Sequence, residues 1–310
     1  MLRFEITPSS HDIIARAGET IRNGGLVAFP TETVYGLGAD AENPTAVSKI
    51  YIAKGRPSDN PLINHANSLD SFAHLVDLSN EHIEKLAAKF WPGPLTLVLP
   101  GFSAKAIAIR IPSHPITRAI INAANCIIAA PSANISGRPS PTTASHVFDD
   151  FRDSPYIDLL LDGGSTEAGL ESTVVSLLGD VPTLLRPGAV TPEAIEAVIG
   201  KLGYAPETTT TPISPGMKYR HYMPRTPLIL LIGDAQAVSD KLPEYANAAI
   251  LRTHNRSLSE VAKNLFNDLR HFDTLNKSVI VAEGVPEKGL GLAIMNRLKK
   301  AATTTVYLQD

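Results

Sequence analysis

Six short polar segments carry the residues of this chain that could do chemistry. They are Pro30-Thr31-Glu32-Thr33-Val34-Tyr35-Gly36, Lys54-Gly55-Arg56-Pro57, Asn60-Pro61-Leu62, Pro131-Ser132-Ala133-Asn134-Ile135-Ser136-Gly137, Glu171-Ser172-Thr173 and Arg186-Pro187-Gly188. Together they supply hydroxyls, amides, an ammonium and guanidinium groups, the donors that hold phosphates and carboxylates. No nucleophile–base pattern accompanies them, and Gly-x-Ser-x-Gly is absent. A phosphate loop and a strand-following Gly-x-Gly-x-x-Gly are absent too; Gly289-Leu290-Gly291 comes nearest and lacks the third small residue. The nine histidines show no His-Glu-x-x-His or paired-cysteine spacing, so no metal site is expected. Such an inventory suits a site that holds a polyanion beside a small polar molecule.

Taken singly, each feature has a plainer reading. Lys54, Arg56, Arg110 and Arg186 are surface charges until their shared position at element ends is considered. His65 follows an apolar stretch and reads equally as a core imidazole, and Thr31, Glu32 and Thr33 as a capping cluster. Ser132, Asn134, Ser136, Ser140 and Ser172 either orient a ligand or form turns. From the residues alone, the reading reaches an anion-and-polar-ligand pocket on an α/β domain and stops there.

The elements that must position these groups alternate between strand and helix periods, which argues α/β architecture. Residues 25–29 form a compact strand stopped by Pro30. Asn43-Pro44 opens a helix with a capping side chain and proline at its first position, and Gly55 stops it, so Lys54 and Arg56 emerge at its exit. A helix near 80–90, a Trp91-Pro92-Gly93-Pro94 turn and strands over 95–99 and 106–112 follow. The pattern continues with a helix over 115–124, strands at 126–130, 158–161, 172–178 and 183–185, and a helix from 191 to 198. Residues 207–216 have no core-forming pattern and read as a linker. A second α/β pattern then runs from 228 to 301. It includes the capping-box form Ser257-Leu258-Ser259-Glu260, with Leu258, Val261, Ala262, Leu265, Phe266 and Leu269 at helical spacing behind it.

A chain of 310 residues exceeds one average domain. The expected division is a first domain at 1–208, a linker at 209–226 and a small α/β domain at 227–310. With 44% hydrophobic and 19% charged residues the chain can bury ordinary globular cores. A net charge of -3 gives no global attraction to nucleic acid. The single cysteine, Cys126, reads as a small buried hydrophobe and fits a reducing cytosol. No leader peptide or membrane helix is expected, so the location expected is cytoplasmic.

In combination the six segments, with Trp91-Pro92-Gly93-Pro94-Leu95-Thr96, resemble the YrdC family of threonylcarbamoyl-adenylate synthases. Residues 214–224 and 289–298 resemble its long, two-domain form. The resemblance implies a twisted mixed YrdC-like sheet with flanking helices, followed by a small Rossmann-like α/β domain. It also implies the reaction: L-threonine, bicarbonate and ATP give threonylcarbamoyl-adenylate and pyrophosphate, feeding a downstream tRNA threonylcarbamoyl transferase. By resemblance, Thr33, His65, Arg110, Ala130 and Ser172 hold threonine. Arg56, Asn60, Ser132, Ser140 and Arg186 hold ATP, with Lys54 near its phosphates. Mg2+ comes with the ATP, no residue acts as a nucleophile, and Lys218, Tyr219, Arg220 and His221 form a lid. Ala106 stands where the family often has a hydroxyl. Two alternatives remain at this stage: a related carbamoyl-adenylate transferase with another acceptor, and a non-catalytic RNA-binding module.

Overall fold

The computed structural model describes residues 1–206 and 221–308. Eleven strands among them form one sheet: β1 (Leu2–Glu5), β2 (Val27–Phe29), β3 (Gly36–Asp40), β4 (Ile63–His65), β5 (Leu95–Pro100), β6 (Ala106–Arg110), β7 (Ile128–Ala130), β8 (Leu159–Asp162), β9 (Thr173–Ser176), β10 (Thr183–Arg186) and β11 (Gly203–Tyr204). Their order is β1-β8-β2-β3-β7-β4-β6-β5-β9-β10-β11. Parallel pairs such as β4 with β6 alternate with antiparallel pairs such as β4 with β7, so the sheet is mixed, as expected.

Helices α1 (His11–Arg22), α2 (Pro44–Lys54), α3 (Glu81–Phe90), α4 (Pro115–Ala124), α5 (Ala144–Phe151) and α6 (Pro192–Ile199) flank it. Side chains alternate across the strands and feed two cores. Val27, Phe29, Leu159 and Leu161 pack with α1 and α4, whereas Ala28 and Leu160 pack with α2 and α5. Gly18 lets α1 lie directly on α4, since a Cβ there would come within 2.5 Å of the Ala123 backbone. Cys126 departs from its expected burial. It is partly exposed, although burial still pushes its thiol up to about 12.

Register sets out the polar residues. In the β4–β6 pair His65 lies beside Arg110, and across β4–β7 it lies beside Ile128. The parallel pairing of β5 with β9 aligns Leu95 with Thr173. A bulge between Leu184 and Arg186 in β10 then brings Arg186 against Val174, re-aiming the side chain at the strand end.

The second unit is a parallel sheet of β12 (Leu228–Ile232), β13 (Ala249–Leu251), β14 (Ile280–Glu283) and β15 (Thr304–Tyr307), in the order β13-β14-β12-β15. Helices α8 (Leu258–Phe272) and α9 (Leu290–Ala301) cover one face through Leu228 and Leu230; α7 (Ala235–Lys241) covers the other through Leu231. It is doubly wound, as a Rossmann-like unit should be, but its second and third strands are exchanged relative to the dinucleotide-binding order. Helix α8 opens with the expected capping box between Ser257 and Glu260.

The two units share a seam. Val34 and Leu170 of the larger unit enter the core of the smaller one, together with Tyr222. Gly169, at φ +70°, lies so close to α8 that a Cβ would fall 2.2 Å from the Lys263 carbonyl oxygen. Arg270 crosses from α8, donating to Pro139 O at 3.1 Å and pairing with buried Asp150 at 2.8 Å.

Candidate functional site

A cavity opens where β3, β4, β6, β7, β9 and β10 end. Thr33, His65, Arg110, Ala130 and Ser172 all line it, as do Arg56, Ser132 and Arg186. Val34, Tyr35 and Ile63 add apolar wall. The arginines therefore converge rather than scatter.

Lys54, Asn60 and Ser140 do not line the cavity. The Lys54 ammonium is fully buried and donates to the carbonyls of Ser132 and Asn134. It braces the loop that presents Ser132. Asn60 acts through its main chain, whose carbonyl accepts from Arg56 Nε at 3.1 Å. Ser140 donates to Glu171 Oε1 at 2.5 Å. Lys218, Tyr219 and Arg220 lie outside the described residues. His221 lies inside them, with its Nε2 buried and unpartnered among the described residues; burial, then the nearby Arg56 charge, lowers it to about 3.

Hydroxyl directions follow from counting protons. Thr31 gives its single hydroxyl proton to Val34 O at 2.6 Å, so in the 2.7 Å contact with Thr33 it must accept. Thr33 therefore shows the cavity an oxygen with free lone pairs. His65 Nδ1 stands 3.3 Å from Ile128 O, and a carbonyl can only accept. The ring proton thus sits on Nδ1 and Nε2 remains an acceptor. Burial, followed by the Arg110 charge, depresses His65 to about 3, which keeps the imidazole neutral near pH 7.

The cations differ in what they hold. Arg110 Nη2 is 2.6 Å from Glu32 Oε1, both buried, and its Nε donates to Gly93 O at 3.2 Å. Desolvation opposes the Glu32 charge, yet Arg110 keeps that carboxyl below its ordinary value. Arg56 donates only to carbonyls, those of Asn60 and Pro61. Burial brings it down to about 10 and leaves it charged. Arg186 donates to Ser172 O from Nε at 3.1 Å and from Nη2 at 2.9 Å, and to Ser172 Oγ at 3.1 Å. Carboxylate charges still act on both, Asp59 on Arg56 and Glu171 on Arg186, but the hydrogen bonds described for the two guanidinium groups go to carbonyls and a hydroxyl. Two guanidinium groups in one partly dry cavity, with their hydrogen bonds given to carbonyls and a hydroxyl, favour an anion there.

Sequence reasoning read Glu32 only as part of a capping cluster and assigned no contact to Glu171 or to Arg297, which reaches Glu171 from α9. A signal existed for the last: Arg297 falls in the apolar stripe of Ala293, Ile294, Leu298 and Ala301, and a charge in a core stripe demands a buried partner.

Comparisons with known proteins bear on the chain as a whole. The family described as telomere recombination (Sua5/YciO/YrdC) matches residues 19–188, and the threonylcarbamoyl-AMP synthase C-terminal domain matches 190–303. The second match begins ahead of α6, although α6 and β11 pack in the larger unit. The chain is 45% identical to the threonylcarbamoyl-AMP synthase of Pyrococcus abyssi, with 91% of this chain and 92% of that one covered. It is 44% identical to the enzyme of that name from Bacillus subtilis, with 93% and 92% covered. Among solved structures, the P. abyssi Sua5 protein complexed with L-threonine superposes with a TM-score of 0.93 at 42% identity, covering 99% of both chains.

Proposed function

The chain belongs to the Sua5/YciO/YrdC family, and on that premise we propose that its cavity joins L-threonine, bicarbonate and ATP into threonylcarbamoyl-adenylate and pyrophosphate. The enzyme is of the threonylcarbamoyl-AMP synthase type, a nucleotidyltransferase. The observation that carries the substrate reading is the pair Arg56 and Arg186, whose hydrogen bonds go to carbonyls and a hydroxyl, in one cavity with Thr33, His65, Arg110, Glu171 and Ser172.

Threonine lies against β4 and β6. The remaining N–H groups of Arg110 meet its carboxylate, the neutral His65 and the lone pairs of Thr33 accept from its amine and hydroxyl, and the Ala130 main chain and Ser172 complete the cradle. The amine lone pair bonds to the carbon of bicarbonate, water leaves, and a carbamate results. A carbamate oxygen then bonds to the α-phosphorus of ATP as the bond to the pyrophosphate oxygen breaks. No protein nucleophile is needed, because the work is alignment and charge neutralisation. Arg56, Arg186 and Ser132 hold the triphosphate. Among the described residues no group of three or more His, Cys, Asp or Glu side chains converges on a metal position. Mg2+ is therefore assigned to the phosphates of ATP itself, and no step here depends on a protein ligand for it.

No helix among the described residues is long and apolar enough to cross a membrane. We place the reaction in the cytoplasm, with a tRNA threonylcarbamoyl transferase consuming the product. The deciding measurement is pyrophosphate release by the full chain, which should require threonine and bicarbonate together. Release without either, or release driven by carbamoyl phosphate in place of threonine, would contradict this reading.

A further inference from the structure

We propose that Arg297, from the C-terminal unit, is a positioning residue for the nucleotide side of the cavity: by occupying Glu171 it leaves Arg186 free to hold an anion. This inference rests on the ATP reading given above and deepens it.

Glu171 lines the cavity and is buried beside Ser172, the residue that receives Arg186. A buried carboxylate in that position would ordinarily take the nearest guanidinium as its counter-ion. Arg186 does not pair with it. Instead Arg297, with no exposed surface, reaches in from α9. Its Nε donates to Glu171 Oε2 at 3.0 Å, and its Nη2 lies 3.0 Å from the same oxygen. Ser140 fills the other oxygen at 2.5 Å. The Arg297 Nη1 donates to Pro187 O, next in sequence to Arg186, and its Cζ stands 5.6 Å from the Tyr222 ring centre.

One side chain thus ties together the two segments that orient Arg186. The 171–173 and 187–188 segments already touch, since a Cβ on Gly188 would come within 2.4 Å of Thr173 N. Glu171 keeps its charge although burial opposes it, because Arg297, then Arg186 and Ser140, hold its carboxyl below the ordinary range. With Arg297 gone, the same carboxylate would capture Arg186 and repel a triphosphate.

The test is a calorimetric titration of ATP against the full chain, which reads binding without turnover. Arg297→Met should weaken ATP binding roughly ten- to hundredfold, as expected when a buried charge loses its partner. Adding Glu171→Gln to it should restore most of the loss, because the competing carboxylate is then gone. A role limited to holding the fold gives no such rescue, so a double variant as weak as Arg297→Met, or an Arg297→Met chain that binds ATP like wild type, overturns the proposal. Should Arg297→Met not fold, Arg297→Gln carries the same comparison: weaker ATP binding that Glu171→Gln restores supports the assignment, and weakening without that rescue, or no weakening, refutes it. Loss of threonine-dependent pyrophosphate release in the wild type would defeat the proposed reaction while leaving the ATP titration intact.

Discussion

Two sets of arginines, all buried except the half-buried Arg56, sit within this molecule, and they are held in opposite ways. At the cavity, Arg56 and Arg186 give their hydrogen bonds to neutral carbonyls and a hydroxyl. Along the seam and behind the cavity, Arg270, Arg297 and Arg110 each face a carboxylate: Asp150, Glu171 and Glu32. Carbonyls fix a guanidinium in space and leave its charge in place, whereas carboxylates fix it and cancel the charge. Being buried and being cationic therefore do not make an arginine a ligand site; the partner decides. Arg110 spans both sets, because it lines the cavity yet already carries Glu32, so its hold on a substrate carboxylate works through the N–H groups that Glu32 and Gly93 leave over.

The sharpest way to break the comparison is to remove one cation of each kind. Arg110→Met strands the buried Glu32 and should cost about 3–5 kcal/mol of unfolding free energy, measured by denaturant titration, besides raising the KM for threonine. Arg186→Met removes a charge whose hydrogen bonds go to Ser172, while Glu171 keeps Arg297 as its direct partner. This variant should lower kcat/KM for ATP by roughly 30- to 1,000-fold, about 2–4 kcal/mol, while shifting the denaturation midpoint far less than Arg110→Met does. Equal midpoint losses in the two variants would erase the distinction. Arg56→Ala should behave like Arg186→Met with a smaller effect, since Arg56 is more open; a folded variant with unchanged pyrophosphate release would remove it from the site.

Acid offers a milder probe. His65 and His221 are depressed to about 3 and His146 to about 4, chiefly by burial. The unfolded chain takes up protons as pH falls through about 6.5, and the folded chain cannot follow until nearer pH 3–4. Stability is therefore greatest above 6.5 and declines below it, by at most about 1.4 kcal/mol per unit for each histidine. Thermal midpoints between pH 6.5 and 5 should fall less steeply in His65→Gln than in wild type, and parallel slopes would contradict the burial reading. The smallest effect is a control. Ser257→Ala removes the α8 cap, should cost about 1 kcal/mol, and should leave both KM values alone; if it moves them, loss of stability by itself mimics a cavity defect.

Much of the fold was legible because its signals were local. Asn43 caps α2 by accepting from Ala46 N, and Gly55 ends it in the left-handed region, both as the sequence pattern predicts. Elements that rest on tertiary packing were missed. Strand β3 is Gly36-Leu37-Gly38-Ala39-Asp40, with no β-branched residue to announce it. Helix α1 was missed too, although Ile14, Ala17, Gly18 and Ile21 give its buried face helical spacing. For the site, residue type and element ends found the cavity cations but could not say which carbonyl or carboxylate each would meet, since those partners lie far off in sequence. Lys54 shows the limit: its emergence at the end of α2 is right, and its destination is a pair of backbone carbonyls rather than the cavity.

Gly169 leaves the molecule no slack where its halves meet. With a backbone conformation few other residues adopt and the Lys263 carbonyl hard against it, even a single methyl group there would act as a wedge, prying α8 and its Arg270 away from Asp150. Drift at this position cannot be gradual, so the two halves are expected to vary together or to part company altogether.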